Sequence, residues 1–284
     1  MNCVRPWLLF LCCVLQSGCA GFFFFPDAEH HLDPADHGIF YEDVYFEASD
    51  GVRLHGWWLP ARDEAEGTIL FLHGNAQNIS THIAAVHWLP EQGFNVFLPD
   101  YRGFGKSEGT PDFPGVHRDA EAALELLRQR GDVNPDRLFV FGQSLGASVA
   151  ITLVAERGHE TGVRGIVADS PFSSYRGIAR EKFAGLWLTW PFQAPLARTI
   201  SDQFDPIDRV HRISPIPLLL LAGAEDDIVP PHHAQALLDA ANDPVELRRA
   251  SPAGHTQALT IRGEREYLVA WMRRWLEEQP WAEE

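Results

Sequence analysis

Beyond residue 67 the chain alternates between short, almost wholly apolar runs and longer stretches with apolar residues at helical spacing. The short runs cover 68–72, 95–98, 138–141, 166–168, 218–222 and 245–248. Apolar residues at nearly every position predict strands buried on both faces. Between them the spacing predicts helices over 80–92, 116–130, 144–157, 232–241 and 264–278. Upstream, 44–47 and 52–59 read as two strands joined by a turn at Asp50-Gly51. Strand alternating with helix implies an α/β fold with a mostly parallel central sheet and helices on both faces. The leading hairpin adds antiparallel pairing at one edge. One stretch, 172–214, breaks the rhythm and is too long for a simple crossover. It holds an apolar patch, Gly185-Leu186-Trp187-Leu188-Thr189-Trp190-Pro191-Phe192. As a cap-like insertion after the sixth strand it would lie over the carboxyl ends of the strands, where such sheets bind ligands.

The first 25 residues follow another pattern. Arg5 precedes an apolar run over 7–15, and small residues follow at Ser17, Gly18, Cys19 and Ala20. That order of charge, apolar run and small residues marks an export signal rather than part of the fold. It resembles a bacterial lipoprotein signal with Cys19 as the lipidated residue, although Gln16 stands where the motif usually has leucine. An uncleaved anchor and ordinary cleavage near Ala20 remain alternatives; the apolar run falls short of the roughly 20 residues a span needs. Phe22 to Phe25 would either sit in the membrane interface beside the anchor or pack against the domain. The chain as a whole is 45% hydrophobic and 22% charged, and the remainder, 26–284, has the length of one domain with a sizeable core. All four cysteines (Cys3, Cys12, Cys13 and Cys19) lie in the leading segment. The body therefore has no cysteine nucleophile, no internal disulfide and no Cys-based zinc site. A net charge of −16 argues against a nucleic-acid partner.

The chemistry-bearing residues fall at the ends of the predicted strands. Gly142-Gln143-Ser144-Leu145-Gly146 joins the strand over 138–141 to a helix. A sharp strand-to-helix turn would leave Ser144 on strained backbone with its hydroxyl exposed, and the glycines remove side chains that would collide there. Ser144 is thus the candidate nucleophile. The N–H of Leu145, at the positive end of the helix, is one candidate oxyanion donor. The N–H of Asn75, in His73-Gly74-Asn75 after the strand over 68–72, is the other. His73 is read as a brace for that loop. The run Ala222-Gly223-Ala224-Glu225-Asp226-Asp227-Ile228-Val229-Pro230 offers several acids. Asp226 fits Gly-x-x-Asp-x-x-Val-Pro, while Asp227 reads as solvent-facing or a helix cap, and Asp169 is an outside candidate. His255, after the last strand, is the candidate base. The order Ser144, Asp226, His255 suits acyl transfer by a Ser-His-Asp triad. His232 and His233 are consecutive on a helix and are read as helix-end residues rather than as facing one metal.

Together these runs, with Asp100-Tyr101-Arg102-Gly103-Phe104-Gly105-Lys106-Ser107 and Asp169-Ser170-Pro171-Phe172, resemble the bacterial α/β-hydrolases of the lipoprotein type. They are also similar to eukaryotic membrane-associated relatives, some of which remove fatty acyl groups from proteins. The resemblance covers roughly 40–275 and implies the α/β-hydrolase fold. It implies a serine hydrolase of small-molecule or lipid acyl esters or thioesters, held on a membrane of the bacterial envelope by its N-terminal anchor. Ala20 after Cys19 favours the outer membrane, facing the periplasm. The run from Asp100 reads as scaffold near the oxyanion loop, with a direct substrate role as the alternative. No cofactor or metal is implied, and the oligomeric state is left open. Two other functions stay in view: a serine peptidase or aminopeptidase, and a silent envelope interaction protein on a hydrolase fold.

Overall fold

A computed structural model describes residues 23–185 and 193–278. Cys19 and the tryptophan-bearing patch at 186–192 lie outside the described residues. Eight strands form the central sheet: β1 (Glu42–Glu47), β2 (Arg53–Leu59), β3 (Gly67–Leu72), β4 (Phe94–Asp100), β5 (Leu138–Gln143), β6 (Val163–Asp169), β7 (Leu218–Gly223) and β8 (Val245–Ala250). Their spatial order is β1-β2-β4-β3-β5-β6-β7-β8. β2 runs antiparallel to both neighbours, and every pairing from β4 to β8 is parallel.

The strand runs look continuously apolar because successive residues feed two different cores. Leu70, Leu72, Val140, Leu218 and Leu220 face one core. Helices α2 (Phe113–Gln129) and α3 (Leu145–Thr161) cover it. Ile69, Phe71, Phe139, Phe141, Leu219 and Leu221 face the other, covered by α7 (Arg262–Glu277) and by 79–89. Every residue of β3 to β7 is buried.

Two expectations change. The helix expected over 80–92 is broken into α1 (Ile79–His82), a 3-10 turn at Ile83–Ala85 and another at Pro90–Gln92. Side chains cap the backbone here: His87 Nδ1 meets the Ala84 carbonyl and Trp88 Nε1 donates to the Ala85 carbonyl. Pro90 then has no N–H to continue a helix. The boundary at residue 25 also falls inside packed structure. Phe24 is buried, and Phe25–Pro26 pairs in parallel with Ala76–Gln77. Of the two readings of this aromatic run, Phe23 and Phe24 follow packing against the domain, whereas Phe25 is 56% exposed. Among the described residues no helix is long and apolar enough to cross a membrane. The insertion between β6 and β7 carries α4 (Tyr175–Gly185) and α5 (Gln193–Ala197). α6 (His232–Ala240) follows β7.

Candidate active site

The turn from β5 into α3 is as tight as its glycines suggest. Ser144 has φ 53° and ψ −114°, a conformation that costs a non-glycine residue about 1–3 kcal/mol and needs surrounding bonds to hold it. Its N–H donates to the Asp169 carbonyl (2.8 Å), and its carbonyl accepts from the amides of Ala147 and Ser148. A Cβ on Gly142 would lie 2.1 Å from the Gly146 carbonyl oxygen, and one on Gly146 would lie 2.0 Å from that of Leu72. Neither position has room for a side chain. Leu145 opens α3, so its amide has no carbonyl four residues back within the helix.

The loops after β7 and β8 bring the acid and the base together. His255 Nδ1 lies 2.8 Å from Asp226 Oδ2. Asp226 Oδ1 accepts from the amides of Ile228 and Val229 (2.9 and 2.8 Å). Burial alone would raise this carboxyl, but the bonds from His255 and the Val229 amide outweigh it and hold the group below the ordinary carboxylate range. Glu225 and Asp227 are exposed, and the Asp227 carbonyl accepts from Lys182 Nζ. Ser170, which sequence reasoning passed over, pins the histidine loop by accepting the Thr256 N–H on its hydroxyl (3.0 Å). Ser144, Ser170 and Thr256 are three of the four non-glycine residues with positive φ among those described, and all three border this site. Only the strain expected at Ser144 had a sequence signal, its flanking glycines.

Asp169, the outside candidate, takes another position. It is fully buried at the end of β6, where its Oδ2 accepts from Gln143 Nε2 (2.9 Å). Burial pushes its carboxyl up to about 6, against 3.8 unperturbed. A group raised in the fold favours folding only while protonated, so its cost grows as pH climbs from about 4 to about 6. The difference amounts to about 3 kcal/mol above pH 6. Asp169→Asn keeps an acceptor for Gln143 and removes that cost. Relative to wild type it should gain roughly 3 kcal/mol in urea-unfolding stability between pH 4 and pH 8. A pH-independent difference would show that Asp169 ionises at the same pH in the fold as in the unfolded chain.

Asn75 lies beside Ser144 and Leu145 in the wall of one cavity of about 340 Å³. Its side chain donates to the Phe23 carbonyl (2.8 Å), and its carbonyl accepts from Phe25 N–H (2.8 Å). The N-terminal segment therefore clamps the candidate oxyanion loop. Phe23, Phe25, Phe172, Ile178, Phe183, Ile200 and Val229 supply most of the remaining wall, and among the described residues Lys182 is its one charged residue. Ile178 and Phe183 of α4, in the stretch between β6 and β7, share this cavity wall with Ser144. His73 is fully buried, its Nδ1 2.7 Å from the Gly74 carbonyl and its ring stacked on His82. Burial lowers it to about 4, so it is neutral at neutral pH and sits as a brace. His82, not singled out from sequence, meets the Ala76 carbonyl at 3.0 Å from the other side of the loop.

The scaffold reading of the run from Asp100 agrees with Arg102. This buried guanidinium bonds Asp119 through Nη2 (2.7 Å) and Asp50 through Nη1 (2.8 Å). His232 and His233 are helix-end residues as read, opening α6, but they do face one site. Consecutive helical side chains do not ordinarily face one site, yet these rings stack 4.4 Å apart and both reach Glu181 of α4, at 3.1 and 3.4 Å. They sit at the first turn of α6, where side chains can fold over the helix end rather than diverge around it.

Residues 63–206 match the family described as Serine aminopeptidase, S33. The uncharacterized protein YfhR of Escherichia coli is 38% identical over 85% of this chain and 81% of its own length. The α/β-hydrolase domain-containing protein WAV2 of Arabidopsis thaliana is 34% identical over 72% of this chain and 68% of its own. A Pyrococcus furiosus esterase structure superposes with a TM-score of 0.71 at 27% identity, covering 90% of this chain and 97% of that one. With the eight-stranded order and the elbow at Ser144, these matches carry the assignment: the chain belongs to the serine aminopeptidase S33 family of α/β-hydrolases.

Proposed function

We propose that this hydrolase cleaves acyl esters or thioesters through Ser144, His255 and Asp226, at a membrane surface. The observation that carries the reading is the apolar cavity opening on Ser144. With Nδ1–H donated to Asp226, the His255 lone pair is on Nε2, the form a general base needs. Ser144 Oγ attacks the carbonyl carbon while His255 takes its proton. The Leu145 and Asn75 amides hold the tetrahedral oxyanion. As the intermediate collapses, His255 protonates the leaving alcohol or thiol. Water, deprotonated by His255, then releases the acid from the acyl-enzyme and restores Ser144.

The membrane setting has separate support. Phe23, the first described residue, lies in the cavity wall, so an anchor at Cys19 would hold the cavity near a bilayer. Phe25 and Ile228, both lining the cavity, are 56% and 52% exposed. An apolar rim of this kind suits contact with lipid. On this reading the protein is an envelope lipoprotein.

The family name makes aminopeptidase cleavage the second reading. An aminopeptidase needs an anion for the substrate ammonium, and among the described residues the charge in this cavity wall is Lys182. Esters of one alcohol with lengthening acyl chains, set against amino-acyl anilides, test the choice. Each buried methylene is worth about 0.8 kcal/mol, so kcat/KM should rise about fourfold per methylene until the cavity fills. Ile178→Trp should lower the long-to-short ratio at least tenfold. A flat profile, or faster turnover of the anilides, would overturn the acyl reading.

A further inference from the structure

We propose that His30, His55 and Asp100 bind a divalent transition-metal ion of the zinc class, which ties the N-terminal segment to the end of β4. The inference is independent of the reaction assigned to Ser144. The three side chains come from three separate places: His30 from the segment after Phe25–Pro26, His55 from β2 and Asp100 from the last position of β4. His30 Nε2 is 3.4 Å and His55 Nδ1 is 3.7 Å from Asp100 Oδ2, and the three candidate ligand atoms lie within 4.8 Å of one another. Nitrogen and oxygen donors held about 2.0–2.1 Å from a tetrahedral ion are themselves about 3.3 Å apart, so small inward shifts complete the geometry.

The protonation pattern points to a cation. His55 Nε2 lies 2.6 Å from Asp43 Oδ1, so it donates its proton outward to a carboxylate. Its Nδ1 then carries a lone pair, and this nitrogen is buried without a hydrogen-bond partner. A bare lone pair facing the Asp100 carboxylate, with both side chains fully buried, is repulsive unless a positive charge stands between them. Metal-bound histidines commonly hand their second N–H to a carboxylate in this way. Asp100 would be the anionic ligand and Asp43 the outer anion, with Lys106 Nζ 3.3 Å from Asp43 on the solvent side.

The surroundings leave an ion one open side. Asp100 Oδ1 is occupied by the Ile79 N–H (2.9 Å). Gly105 packs so tightly against the carboxylate that a Cβ there would lie 2.0 Å from Oδ2. His30 is partly exposed, so an ion would enter past it and keep water as its fourth ligand. The consequence would be local order. The same N-terminal segment holds Asn75 through Phe23 and Phe25, so the ion would stiffen one wall of the cavity without touching the reacting atoms.

The test is calorimetric titration of the full-length protein, purified in detergent and stripped with a chelator, with Zn²⁺. One equivalent should bind with micromolar or tighter affinity and raise the melting temperature. Co²⁺ should give visible ligand-field absorption at the same stoichiometry. His30→Ala, at the partly exposed position, and His55→Ala should each weaken binding at least tenfold. Asp43→Asn should weaken it about 10–100-fold through the outer shell. Fluorophosphonate labelling of the His30→Ala protein reports that it remains folded. No saturable binding by wild type overturns the proposal, as does binding that His30→Ala leaves unchanged. Binding lost in His232→Ala but kept in His55→Ala would move the ion to the Glu181 cluster and overturn it too.

Discussion

Ser144→Ala is expected to lower kcat/KM for any accepted ester by roughly 10⁴–10⁶-fold while leaving the fold intact. On the proposed mechanism the effect is large because nucleophile, base and acid would act as one unit. Without Oγ no acyl-enzyme forms, and His255 and Asp226 have no proton to move. The proposed oxyanion donors and the cavity remain and would account for residual turnover. His255→Ala should fall by a similar factor, and the double variant should fall little further. Steady-state kinetics on a soluble ester measure all three proteins, and a fluorophosphonate should label wild type but not Ser144→Ala. A Ser144→Ala protein that keeps a tenth of the wild-type rate would sink the assignment. The substitution is also expected to be structurally mild. Its φ of 53° is held by the Asp169 carbonyl and the α3 amides rather than by the hydroxyl.

Arg102→Ala is expected to destabilise the fold by about 3–5 kcal/mol. Arg102 has 5% of its side-chain surface exposed and its partner Asp119 1%. Asp119 accepts from the Arg102 side chain and from its backbone N–H (2.8 Å). Truncation leaves a buried carboxylate without its counter-charge, and the remaining amide cannot offset that desolvation. Asp50, 33% exposed and held at about 2 chiefly by its bond from Arg102, also loses its partner but can turn to water. Arg102→Lys should recover little, because a point charge cannot span two carboxylates as the guanidinium fork does. Pairing Arg102→Met with Asp119→Leu should recover more, since it removes both charges. Urea unfolding of the four proteins tests this. A loss below about 1 kcal/mol for Arg102→Ala would show the network to be worth no more than a surface pair.

The sheet was legible because alternation at period two puts apolar residues on both faces of every central strand. Strands β3 to β7 therefore stand out as runs with no polar face. The region 79–92 misled because its apolar spacing is helical while its backbone is not. His87 and Trp88 satisfy local carbonyls from their side chains, a competition that spacing cannot register. The elbow was legible for a steric reason. Two glycines flanking a serine between a strand and a helix are needed only where side chains have no room, and at Gly142 and Gly146 the nearest backbone atoms are about 2 Å from a Cβ position.

Other features depend on chain segments that meet only in three dimensions. Three acids stand together at 225–227, and their identities do not say which one turns inward. The Ile228 and Val229 amides and His255, 29 residues later, select Asp226. Nothing local marks Ser170 as the anchor of the His255 loop, since its partner Thr256 is 86 residues away. Phe23 could equally have faced lipid until its backbone carbonyl bond to Asn75 made it cavity wall, whereas Phe25 lines the cavity and stays exposed. The cluster of His30, His55 and Asp100 spans 70 residues and has no spacing signature at all. The sequence by itself determined what depends on neighbours along the chain: strand periodicity, the glycine-bounded turn, and the order of serine, acid and histidine. The tertiary structure alone decided which acid, which cavity wall and which buried histidines meet, because those choices rest on desolvation and hydrogen bonds between distant segments.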